Sequence, residues 1–168
     1  MSHETTYAAI GAYAQIVVRQ CQRNGARTLQ LDGDELGETI ELAAFGDHDA
    51  QARLVRHILH GVGDGSQPAL DGLSKAEMMA RLAATSKGPG DMLTLASVLI
   101  MRATVARFAE DPIARLLEGE VLALLNRAAE TGDEAAADAL QRAVDLVPCE
   151  VLAAYRESIA ETATMVRH

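Results

Sequence analysis

Apolar positions return at intervals of three and four along almost the whole chain, the period of a helix face rather than of a strand. Over residues 5–23, Tyr7, Ile10, Ala14, Val17 and Cys21 form one such stripe. The run from Asn24-Gly25 to Asp32-Gly33-Asp34 interrupts it, and a second helix is predicted over 36–45, stopped near Gly46. Asp47 follows as an N-cap, its carboxylate suited to the open amides of a first turn, for a third helix reaching His60. Gly61-Val62-Gly63-Asp64-Gly65 reads as a break. Ser74-Lys75-Ala76-Glu77 has the spacing of a capping box and predicts a helix start there, running to about Thr85. Lys87-Gly88-Pro89-Gly90 separates that helix from a long one opened by Asp91 and ending at Ala109. Asp111-Pro112 pairs a cap with proline at the first helical position, where its missing N–H costs nothing, and this helix ends near Thr131-Gly132. Asp133 to Val147 and Cys149 to about Val166 complete eight predicted helices. The last carries Leu152, Tyr155, Ile159 and Val166 on its buried side.

Composition agrees with that pattern. The 168 residues suffice for one domain, and 49% hydrophobic residues provide a sizeable core. Aromatics are only 3%, so the core must come from Leu, Ile, Val, Met and abundant Ala, which favours close-packed helices over a sheet. The net charge of −9 argues against nucleic acid or an anionic membrane as partner. No apolar run approaches the roughly 18 residues of a spanning helix, so no membrane insertion is expected. The opening Met1-Ser2-His3-Glu4 does not resemble a signal peptide. Two distant cysteines, Cys21 and Cys149, fit a reducing cytosol, and a cytoplasmic location is expected.

An internal repeat is the most informative feature. Gly46-Asp47 is followed by Ala50 and Leu54, and Gly132-Asp133 by Ala136 and Leu140, at identical spacing. Gly90-Asp91 with Thr94 and Val98 is a relaxed version between them, 44 residues after the first and 42 before the last. In each unit glycine ends one helix, aspartate caps the next, and a small residue lets the helix pair approach.

With Leu54, Ile58, Gly61 and Gly63 following, the chain resembles the Sel-one-like repeat, a relative of the tetratricopeptide repeat. Ala76, Met79, Ala83 and Ala84 match the second helix of that unit, as do Val121, Leu124, Ala128 and Ala129. The resemblance covers roughly Leu36 to Leu146. Met79 and Leu124 replace the family's large aromatic, and the middle unit has Val105-Ala106-Arg107 in place of the Gly-x-Gly turn. The resemblance implies an all-α, short right-handed α/α solenoid of about three helix pairs. Residues 5–35 would form an N-terminal capping helix and loop, 36–147 the repeat-like pairs, and 148–168 a C-terminal capping helix, all in one domain.

Chemical motifs are few. Asp32-Gly33-Asp34-Glu35-Leu36-Gly37 resembles the start of a calcium loop, but Leu36 replaces a ligand and Ala43 stands where the bidentate glutamate belongs. A polar turn with helix-capping acids is expected instead. His57 and His60 share a helix near His48, Asp49 and Asp64, without a zinc-binding spacing. Cys21 and Cys149 read as buried free thiols. Gly61 to Gly65 lacks the Lys-Ser/Thr and the preceding strand of a phosphate loop. No catalytic residue, metal or cofactor is therefore assigned, and a non-enzymatic role is expected.

The leading expectation is an interaction module, an adaptor or regulator that binds a protein or peptide partner on a concave helical face. The alternatives are a small helical enzyme or ligand sensor with an inter-helix site, and a homodimer subunit pairing through its terminal helices. On a helix turning about 100° per residue, Ala50, Leu54 and Ile58 make the core stripe. Asp49, Arg56 and His60 gather within about 40° of one another on another side. Asp138 and Arg142 are their counterparts in the last repeat and are spaced to pair. These five residues form the expected partner-binding face, because the first helix of each unit lines the groove in the resembling family.

Overall fold

The computed structural model describes residues 3–165. Among them the chain forms eight α-helices and no strand: α1 His3–Arg23, α2 Gly33–Ala44, α3 His48–Asp64, α4 Ala69–Ala83, α5 Pro89–Phe108, α6 Ile113–Glu130, α7 Glu134–Leu146 and α8 Cys149–Met165. From α2 to α7 each helix packs on its successor, most extensively in the pairs α3/α4 and α5/α6. Helix α8 lies against α6, while α1 packs across α3, α4 and α5.

Two of the three Gly-Asp turns form where they were read. Asp47 accepts from the Ala50 amide at 2.7 Å and Asp133 from the Ala136 amide at 2.8 Å, so both cap their helices. Gly46 and Gly132, before them, turn the chain at φ +89° and +86°, a left-handed conformation that a side chain resists. Gly90 does not lie between helices. Pro89 starts α5 two residues before Asp91, and Gly90 sits in its first turn. The left-handed turn falls on Lys87 instead, at φ 60°, after a short 3₁₀ segment over Ala84–Ser86.

Two further boundaries differ from expectation. Helix α4 starts at Ala69 after Pro68, not at the Ser74 capping box. The Ser74 hydroxyl donates to Leu70 O within the helix, and Glu77 pairs with Arg81 and Arg102. Helix α3 continues through Gly61 and Gly63 to Asp64 and ends in a left-handed cap at Gly65. Packing sustains these glycines, for the space a Cβ would need at Gly63 is filled by Gln22 of α1, and at Gly61 by Gln67 and Ser66. The Gln22 amide also donates to Leu59 O, and Arg19 Nε to Gly63 O at 2.6 Å.

The main core runs through all the larger helices, with Val55, Val62, Leu73, Leu99, Leu122 and Leu125 nearly or wholly sequestered. Ala50, Leu54, Ala83, Ala128 and Ala136 are buried as expected, whereas Ile58, Met79, Leu124 and Leu140 are half-buried. On α1, Ala14 and Val17 are buried together with Val18, and Ile10 and Cys21 pack partly. Tyr7, counted in that stripe, is 67% exposed. Tyr13 stacks on Phe108 at a ring-centroid distance of 4.1 Å, holding α1 to the end of α5. On α8 the buried residue is Val151, with Leu152 and Tyr155 half-buried. Val166 and the Ile159 side chain lie outside the described residues. Cys21 is half-buried and Cys149 exposed rather than buried, because it opens α8 beside Pro148. No described helix is long and apolar enough to cross a membrane.

Candidate functional site

A groove of about 570 Å³ opens between α3 and α5, with the α1–α2 loop as its third wall. Its floor is apolar: Ala52, Val55 and Leu59 of α3 and Met101 of α5 are all buried. Its rim is charged, with Asp49 and Arg56 from α3, Arg27 from the loop and Asp91 from α5. A cleft of about 270 Å³ follows between α5 and α7, and Arg142 lines it. Leu93 and Ser97 of α5 border both hollows, so groove and cleft adjoin across one helix.

Of the five residues expected on the binding face, Asp49, Arg56 and Arg142 line this surface. His60 does not line it, because its imidazole turns to Asp64 one turn on, Nε2 to Oδ2 3.5 Å. Asp138 is exposed outside both hollows, and it forms no ion pair with Arg142 among the described residues.

Sequence spacing did not reveal Arg27. Its place depends on the α1–α2 loop lying along α3, where the Leu29 amide donates to Arg56 O at 3.3 Å and the Leu31 amide to His57 Nδ1 at 3.2 Å. The buried Leu31 side chain, 5% exposed, anchors the same loop. No local signal encodes contacts between residues this far apart in sequence.

The charges on this face differ from those on the α4–α5–α6 side. Across the α4–α5–α6 side, Arg81 forks onto Glu120 at 2.5 and 2.8 Å and bonds Glu77, which also binds Arg102. Glu120, then Glu77, hold the Arg81 guanidinium above its usual pKa. By contrast, Arg27, Arg56 and Arg142 have no carboxylate within ion-pair distance among the described residues. Asp91 on the rim is bonded to Ser86 Oγ at 2.5 Å. At the far end of α3, hydrogen bonds from Ser66 hold the Asp64 carboxyl below its usual range, with a smaller contribution from His60 and Arg19.

His48, His57 and His60 do not converge. His57 accepts from Leu31, His48 Nδ1 meets Gln51 Oε1 at 3.3 Å, and His60 faces Asp64. Among the described residues no three His, Cys, Asp or Glu side chains are grouped to hold a metal. The Asp32 to Gly37 segment is a capping turn, its Asp32 Oδ1 accepting from the Glu35 amide at 2.9 Å.

No protein-family model, curated protein or solved structure matches the chain.

Proposed function

We propose that this protein is a non-catalytic interaction module that takes a protein or peptide segment on the face formed by α3, α5 and α7. The reading rests on one observation: groove and cleft adjoin across Leu93 and Ser97, and their charged lining includes Arg27, Arg56 and Arg142, none of them paired with a carboxylate among the described residues. A groove with a polar, arginine-bearing rim suits a peptide chain, because arginine supplies anchoring donors to carboxylates and backbone carbonyls. In this reading α3, α5 and α7 are the first helices of three solenoid units, as in the Sel-one-like repeat, and the role is that of an adaptor or regulator in the cytoplasm. Two free thiols are in keeping with that compartment.

The test is Arg56→Glu combined with Arg142→Glu. Partner capture from native cytosol is expected to disappear while helicity and melting temperature stay at the wild-type level. Capture at the wild-type level by the double variant would move the binding face elsewhere.

A further inference from the structure

Residues 24–32, which join α1 to α2, lie along α3 and wall one side of the groove, with Arg27 in its lining. Beyond the last turn of α1, two main-chain amides fasten this loop to α3. The Leu29 amide donates to Arg56 O, a carbonyl that accepts equally well at any pH near neutrality. The Leu31 amide donates to His57 Nδ1 at 3.2 Å. Leu31 is buried, and its amide has no other acceptor among the described residues.

To accept at Nδ1, an imidazole must be neutral, with its one proton on Nε2. An imidazolium carries N–H on both nitrogens, so protonation sets a donor against the Leu31 amide and leaves that amide without an acceptor. Histidine is the side chain that makes this exchange between about pH 5 and 8. No carboxylate is placed to offset the loss, for none lies within ion-pair distance of His57 among the described residues. Of the acids on the surrounding elements, Glu35 of α2 pairs with Arg53, Asp32 of the loop caps α2, and Asp71 of α4 pairs with Lys75. Arg19 of α1 is bonded to Gly63 O, and His60, one turn on in α3, faces Asp64. Arg53 and Arg56 on the same helix and Arg27 on the loop are cations, which add repulsion rather than relief.

We propose that the Leu31–His57 contact is a pH-sensitive latch: protonation of His57 frees the Leu31 end of the α1–α2 loop, and with it the wall of the groove that carries Arg27. The latch rests on this contact alone and is independent of what the groove binds. Amide hydrogen exchange of the full-length protein at pH 7.5 and pH 5.5, expressed as protection factors that correct for the intrinsic pH dependence, reads it directly. Leu31 protection is expected to fall about fivefold or more at pH 5.5, relative to the Val55 amide in the buried part of α3. His57→Asn offers an amide oxygen near the place of Nδ1 that does not titrate, and the pH dependence is expected to vanish. His57→Ala is expected to leave Leu31 weakly protected at both pH values. His60 is present in all three proteins, so its own titration cannot separate them. Equal relative protection of Leu31 at the two pH values in the wild type, no protection at pH 7.5, or a fall that persists in His57→Asn overturns the proposal. Should His57→Asn fail to fold by circular dichroism, the wild type decides alone: the loss of Leu31 protection must follow the protonation of the His57 ring read from its nitrogen resonances, and a loss with a different midpoint overturns the latch.

Discussion

Gly72 of α4 and Val62 of α3 touch so closely that a Cβ built on Gly72 would overlap Val62 Cγ2. Val62 is wholly buried and cannot turn aside, so the approach of α3 to α4 depends on the hydrogen at this position. In an unconstrained helix interior, alanine is better than glycine by roughly 0.5–1 kcal/mol. The contact reverses that sign. Gly72→Ala is expected to cost about 1–3 kcal/mol, a fall of several degrees in melting temperature. Gly119→Ala is the control, since nothing lies within 4 Å of a Cβ there, and it is expected to stabilise by roughly 0.5–1 kcal/mol. Thermal melts of the two variants check both signs.

Leu54 and Leu140 stand at the same spacing after a Gly-Asp turn but in unequal environments. Leu54 is 8% exposed in a cluster with Ala43 and Ala50, whereas Leu140 is only half-buried at the edge of the main core. Leu54→Ala is expected to cost roughly 2–5 kcal/mol and Leu140→Ala about half as much. Urea denaturation would separate them, and equal costs would contradict the burial difference.

The three repeat aspartates are also unequal. Asp47 and Asp133 accept amide hydrogens of their own first turns, so either changed to alanine loses about 1 kcal/mol. Asp91 lies inside the first turn of α5, whose N-cap is Gly88, and bonds the Ser86 hydroxyl instead. Asp91→Ala is expected to cost less than either of the other two in the same denaturation series.

The two thiols should react at different rates. Burial pushes the Cys21 thiol above its usual pKa and narrows access to it, while Cys149 is exposed. Since the thiolate is the nucleophile, iodoacetamide at pH 8 is expected to modify Cys149 roughly tenfold or more faster than Cys21. Peptide mass mapping over time reads the ratio, and urea should remove the difference.

The sequence by itself determined the helical class and the turns at Gly46-Asp47 and Gly132-Asp133. Those features depend on energies local to a few residues: the φ that glycine permits, the amides that an aspartate caps, and the three-and-four spacing of apolar positions. Helical geometry alone separated Asp49, Arg56, His60, Asp138 and Arg142 from the buried stripe, but it did not show that His60 and Asp138 lie outside groove and cleft. Tertiary structure decided what those local energies leave undetermined. Gly61, Gly63 and Gly72 stand inside helices because close packing of α1, α3 and α4 outweighs the helix penalty of glycine, so a local break signal gave way to contact. Arg27 reaches the groove only because Leu29 and Leu31 bond to α3 across more than twenty residues of sequence. Among the described residues Glu118 Oε2 has no partner, because Arg107 Nε and Nη2 both donate to Oε1, and the arrangement of two side chains from different helices follows from packing, not from spacing along the chain.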